Sequence, residues 1–147
     1  MSELVDKGVV LVDKIAAEFP FEPNYVEVFS SKMHYIEKGK GETVLFLHGV
    51  PAWSYLWRNV IPYLSGDFRA IAVDLIGFGL SDKPDIHYDV FNHINYVEDF
   101  IDKLKLKDIH LVMHGWGSVI GLSIATKYPK KFKSLSMLES HICATND

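Results

Sequence analysis

Hydrophobic and polar positions follow two different rhythms along this chain. Between residues 24 and 39, "NYVEVFS" and "KMHYIEKG" alternate on either side of a short Ser30-Ser31 link, which predicts an antiparallel hairpin. Four later stretches read as buried strands: the continuous apolar run "TVLFLH" (43–48), then "FRAIAVD" (68–74), "DIHLVMH" (108–114) and "FKSLSML" (132–138). Apolar runs of that length predict strands buried on both faces. Between them the spacing is helical. Phe91, Ile94, Val97, Ile101 and Leu104 form one stripe, "YLWRNVIPYL" (55–64) reads as a helix, and "GSVIGLSIATKY" (117–128) as another, ended by Pro129. Upstream, Val5, Val9, Val12, Ala16 and Phe19 predict an amphipathic helix over residues 3–18, stopped by Pro20 and Pro23.

A hairpin followed by alternating strands and helices predicts an α/β fold: a mostly parallel sheet with helices on both faces. The expected organisation is an N-terminal helix over residues 1–20 and one α/β unit over 21–147. A parallel strand normally has a crossover helix and a neighbour. Neither follows "FKSLSML", so the domain is expected to be incomplete, truncated before its last strands. That strand is then an apolar edge through which the chain is expected to self-associate.

With 48% hydrophobic and 23% charged residues, the 147-residue chain has the means to pack a core. A net charge of -4 provides no attraction toward nucleic acid or an anionic membrane. Cys143 is the only cysteine, so no internal disulfide forms, and no Cys/His cluster suggests a metal. The start is acidic (Glu3, Asp6), "VVLV" is too short for a signal peptide, and no run approaches the ~18 apolar residues of a membrane span. A cytoplasmic protein without cofactor is expected.

The candidate chemistry lies in "LVMHGWGSVIG", residues 111–121. Strand, sharp turn and helix are the setting of a nucleophile elbow. Its tip, Gly115, has no side chain. Moving the nucleophile to Ser118 would put it inside the helix, away from backbone donors. His48 and His114 read as hydrogen-bonded structural residues, Asp74 as a structural strand cap, and Trp53 and Trp57 as packing residues. His141 lies too close in sequence to Glu139 to serve as its distant catalytic partner.

Three stretches, "LFLHGVPAWSYLWRNVIPYL", "AVDLIGFGLSDKPD" and "LVMHGWGS", resemble in order and spacing the haloalkane dehalogenase family of α/β-hydrolases. The resemblance runs from about Phe21 to Glu139 and covers the N-terminal half of a family member. It implies an α/β-hydrolase fold and hydrolytic cleavage of carbon–halogen bonds. An aspartate at the elbow attacks the carbon, halide leaves, and a histidine with an acidic partner activates water to hydrolyse the ester. By the same resemblance, Trp116 matches the halide-binding tryptophan, and the N–H groups of Val50 and Trp116 match the oxyanion hole. Glu139 matches the acid of one branch of the family. Gly115 stands at the nucleophile position and Val50 at the halide-binding asparagine position, while the catalytic histidine and the helical cap would lie beyond Asp147. The chain alone is therefore expected to be inactive, with a small halogenated or other apolar molecule as its ligand. The alternatives are a relative of the coelenterazine luciferases and a non-catalytic α/β-hydrolase-like binding protein.

Overall fold

The computed structural model describes residues 18–140. The N-terminal helix expected over 3–18, like His141, falls outside that range apart from its last residue. Six strands form one sheet: β1 (Pro23–Val28), β2 (Ser31–Lys38), β3 (Glu42–Leu47), β4 (Phe68–Val73), β5 (Ile109–His114) and β6 (Phe132–Leu138). Their spatial order is β1-β2-β4-β3-β5-β6. The β1–β2 and β2–β4 pairs are antiparallel, and β4–β3, β3–β5 and β5–β6 are parallel. Three α-helices lie wholly within the described residues: α1 (Ile61–Leu64), α2 (Val90–Lys103) and α3 (Trp116–Lys127).

The central strands show why their sequences do not alternate. On β3, Leu45 and Leu47 enter one apolar cluster while Val44 and Phe46 enter another; on β4, Ile71 and Val73 part from Ala70 and Ala72 in the same way. Each strand thus feeds a core on either side of the sheet. The larger cluster takes Tyr96, Val97, Phe100 and Ile101 from α2 and Ile120 and Ile124 from α3. The smaller takes Trp57 and Ile61, with the Phe46 and Trp57 rings 4.9 Å apart. Trp53 stacks on Tyr55 at 5.5 Å, so both are packing tryptophans here.

Four expectations need correcting. The hairpin turns at Phe29-Ser30, one residue early, with Ser31 already paired in β2. Both turn residues have positive φ (48° and 62°), matching the twist that two-residue hairpins require. Residues 55–64 are not one helix. A 3-10 turn (Ser54–Trp57) is followed by i→i−3 bonds and the single turn of α1, because Pro62 has no N–H for the Arg58 carbonyl. The buried face of α2 is His93, Tyr96, Val97, Phe100 and Ile101, rotated from the predicted stripe so that Phe91 is exposed. Finally, β6 is not buried on both faces. Among the described residues it pairs only with β5, and Leu135, Met137 and Leu138 are 43–46% exposed. No helix of the described residues is long and apolar enough to cross a membrane.

Candidate active site

The carboxyl ends of β3, β4, β5 and β6 face the same end of the sheet, where such sheets hold ligands. From β3 the chain leaves toward β4 on one side, and β5 lies on the other. The loops after β3 and β5 meet at this switch point. A Cβ added to Gly49 would lie 3.0 Å from the His114 carbonyl oxygen and 3.3 Å from the Gly115 Cα.

Gly115 joins β5 to α3 at φ 52° and ψ −124°, a conformation that side chains rarely adopt. A Cβ here would meet only the Gly49 Cα, at an ordinary 3.6 Å. The tip is therefore a strained elbow with room for a side chain. Two residues on, the situation reverses. A Cβ on Gly117 would sit 2.6 Å and 2.7 Å from the carbonyl oxygens of Leu47 and His48, so glycine lets the start of α3 rest on the end of β3. Trp116 is the first residue of α3, where amides have no intrahelical partner. Val50 N–H donates to nothing among the described residues. Val50 and Trp116 meet around one opening, with Gly115 preceding Trp116 in the turn beside it.

That opening is a cavity of about 440 Å³ walled by Val50, Leu75, Phe78, Val90, Ile120 and the half-exposed Trp116 indole, with Tyr88, Asp89 and His93. Sequence reasoning did not single out Phe78, Tyr88 or His93. The signal for His93 was present, because it precedes Tyr96, Val97 and Phe100 at helical spacing on the buried face of α2.

The remaining candidates have other partners. His48 is fully buried. Its Nδ1 lies 2.8 Å from the Gly49 carbonyl, which only accepts, and its Nε2 accepts from the Leu75 N–H at 2.9 Å. Both nitrogens are engaged in one neutral tautomer, and burial pushes its pKa below that of an ordinary imidazole. His114 Nε2 lies 3.1 Å from Glu139 Oε2, while its buried Nδ1 has no partner among the described residues. Glu139, exposed just past β6, thus faces the strand end next to the elbow. Ser118 is buried inside α3 and bonds through its hydroxyl to Ser140. Among the described residues no three His, Cys, Asp or Glu side chains gather as a metal site.

Asp74 fixes the neighbouring loop. Its carboxylate accepts from His34 Nδ1 (2.8 Å), the Ser54 N–H (2.7 Å) and the Leu80 N–H (2.8 Å). Burial pushes its pKa up, but these hydrogen bonds outweigh it and hold the carboxyl below the usual range. The loop from 74 to 82 also pairs with β2: Asp74 N–H donates to His34 O, Asp82 N–H to Lys32 O, and Ser81 Oγ accepts from the His34 N–H. Internally, Gly77 N–H donates to Asp82 O and Ser81 N–H to Phe78 O.

The comparisons with known proteins agree with this geometry. A family profile described as alpha/beta hydrolase fold matches residues 42–146. A haloalkane dehalogenase of Mesorhizobium japonicum is 43% identical over 115 residues, which is 78% of this chain and 37% of that protein. A cis-3-alkyl-4-alkyloxetan-2-one decarboxylase of Shewanella oneidensis is 40% identical over 125 residues, 82% of this chain and 39% of that protein. The crystal structure of the haloalkane dehalogenase DatA from Agrobacterium tumefaciens superposes with a TM-score of 0.79 at 39% identity, covering 81% of this chain and 41% of that one. The chain thus spans about two-fifths of the length of these relatives. With a profile match over residues 42–146 and a mostly parallel sheet, the chain belongs to the alpha/beta hydrolase fold family.

Proposed function

We propose that this chain carries the elbow-bearing part of a haloalkane dehalogenase-like site in which glycine has replaced the nucleophile, so that it holds a small apolar or halogenated molecule against Trp116 without cleaving it. The observation that carries this reading is Gly115: a strained tip, with space for a side chain, beside the cavity and lacking the attacking oxygen. Displacement would require a carboxylate oxygen to form a bond to carbon while the carbon–halogen bond breaks and halide leaves with its electron pair. No side chain at the tip supplies that oxygen. His48 is locked in a neutral tautomer by two hydrogen bonds, which supports a structural role and not that of the water-activating base.

The test is halide release from a simple haloalkane. The chain is expected to match the buffer blank. Gly115→Asp is expected to release at most one halide per chain, since it restores an attacking oxygen but no base. Turnover above blank by the unaltered chain, abolished in Trp116→Phe, would refute the proposal. So would sustained turnover by Gly115→Asp.

A further inference from the structure

Strand β6 leaves one side of the sheet open. Among the described residues it pairs only with β5, and its residues from Lys133 to Leu138 are all exposed. The Leu138 carbonyl accepts from the Gly115 N–H at 3.2 Å and so points toward β5. The N–H and C=O of a strand residue share a direction that reverses at the next residue. Ser134, Ser136 and Leu138 therefore bond inward, while Leu135 and Met137 turn their backbone groups outward. The side chains of these two lie on the face of their β5 partners, Leu111 and Met113. The opposite edge of the sheet differs. There β1 starts at Pro23 and carries an acid, Glu27, without a base, features that discourage pairing.

The two ends of β6 carry opposite charges. Lys133 Nζ donates to the Glu42 carboxylate, and Glu139 Oε2 lies 3.1 Å from His114 Nε2. Glu42 also lies 2.9 Å from His110 Nε2, so Lys133 and Glu139 both reach the face that holds His110 and His114. A strand with a base at one end and an acid at the other complements a copy of itself running the opposite way.

We propose that β6 docks against β6 of a second copy, antiparallel about a two-fold axis through Ser136, so that the two sheets become one. In that register Leu135 stands opposite Met137 of the second copy, and the two exchange backbone hydrogen bonds. At both ends Lys133 comes beside Glu139 of the other copy. Other positions of the axis fit less well. An axis at Leu135 sets Met137 against Lys133, and one at Met137 sets Leu135 against Glu139. An axis between two residues sets an outward-bonding residue against an inward-bonding one.

Sedimentation of the full chain is expected to give a dimer. Lys133→Glu places acid against acid at both ends, and Glu139→Lys places base against base, so each variant alone should dimerise about 10-fold more weakly. Mixed in equal amounts, the two should form a heterodimer of near-parental affinity, because each end again joins a base to an acid. Mixing would not mend a defect caused only by losing Glu42 or His114 as an intramolecular partner. The register is read by cross-linking. Ser136→Cys in a Cys143→Ser background should form a disulfide-linked dimer under mild oxidation, since the two Cα atoms lie about 4.5 Å apart across the axis. Ser134→Cys should not. A parent chain that stays monomeric, aggregates with no defined dimer, a mixture no tighter than its components, or cross-linking at 134 and not at 136 would each overturn the proposal. So would a monomer whose Leu135 and Met137 amides resist deuterium exchange, because another segment of the chain would then occupy the edge.

Discussion

Replacing Gly115 by alanine should cost stability even though the new methyl group touches almost nothing. Its Cβ would lie 3.6 Å from the Gly49 Cα and meet no other neighbour within 4 Å, so steric overlap contributes little. The cost comes from the backbone, held at φ 52° and ψ −124° by α3 on one side and β5 on the other. A non-glycine residue in such a region costs about 1–3 kcal/mol. Alanine recovers about 0.4–1 kcal/mol by restricting the unfolded chain. The net expectation is a loss of roughly 1–2 kcal/mol, or about 3–6 °C in melting temperature for a chain of this size. Urea denaturation of the two forms measures it, with equal slopes showing that the unfolded state has not changed. Gly117→Ala is the companion. Its Cβ would overlap two backbone oxygens at 2.6 and 2.7 Å, and backbone cannot swing aside, so its loss should exceed that of Gly115→Ala. If Gly115→Ala is neutral or stabilising, the elbow is not strained and the assignment of residue 115 to its tip fails.

Burial lowers the pKa of His48 and of His93, so between their folded values and about pH 6.5 the unfolded chain binds more protons than the folded one. Stability from these two residues is full above about pH 6.5 and is lost as the pH falls below it; His48→Gln and His93→Gln together should flatten the fall in urea midpoint, and an unchanged slope would refute this. The open edge of β6, with Leu135, Met137 and Leu138 nearly half exposed, should make the chain self-associate, and Leu135→Lys with Met137→Lys should shift sedimentation toward monomer. A parent chain that is already monomeric at high concentration would refute that expectation.

Much of the fold was legible because strands at the centre of a sheet write themselves into sequence as short apolar-rich runs. The run at 132–138 coincides with β6 as it stands, and those at 43–48, 68–74 and 108–114 overrun β3, β4 and β5 by no more than a residue at either end. What such runs do not convey is whether a partner exists to cover them. β6 has the composition of a buried strand and the exposure of an edge. The helix read at 55–64 failed on one missing N–H, at Pro62. The elbow and its empty tip could be read because glycine and tryptophan stand at fixed offsets after a strand. The helical spacing of His93 with Tyr96, Val97 and Phe100 was there to be read, but one polar residue on a buried helix face becomes meaningful only once the cavity beside it is known.

The loop from 74 to 82 has a consequence for local motion. Loops usually exchange their amide protons with solvent quickly, because few of those amides are bonded inside the protein. Here the amides of Asp74, Gly77, Leu80, Ser81 and Asp82 all donate inward, to β2, to the Asp74 carboxylate or to the loop itself. In deuterated water this segment, carrying no regular helix or strand, should hold its protons as stubbornly as the sheet beside it. The side of the cavity bearing Leu75 and Phe78 is therefore one of the slow-exchanging parts of the molecule, a rigid wall against which a ligand must fit.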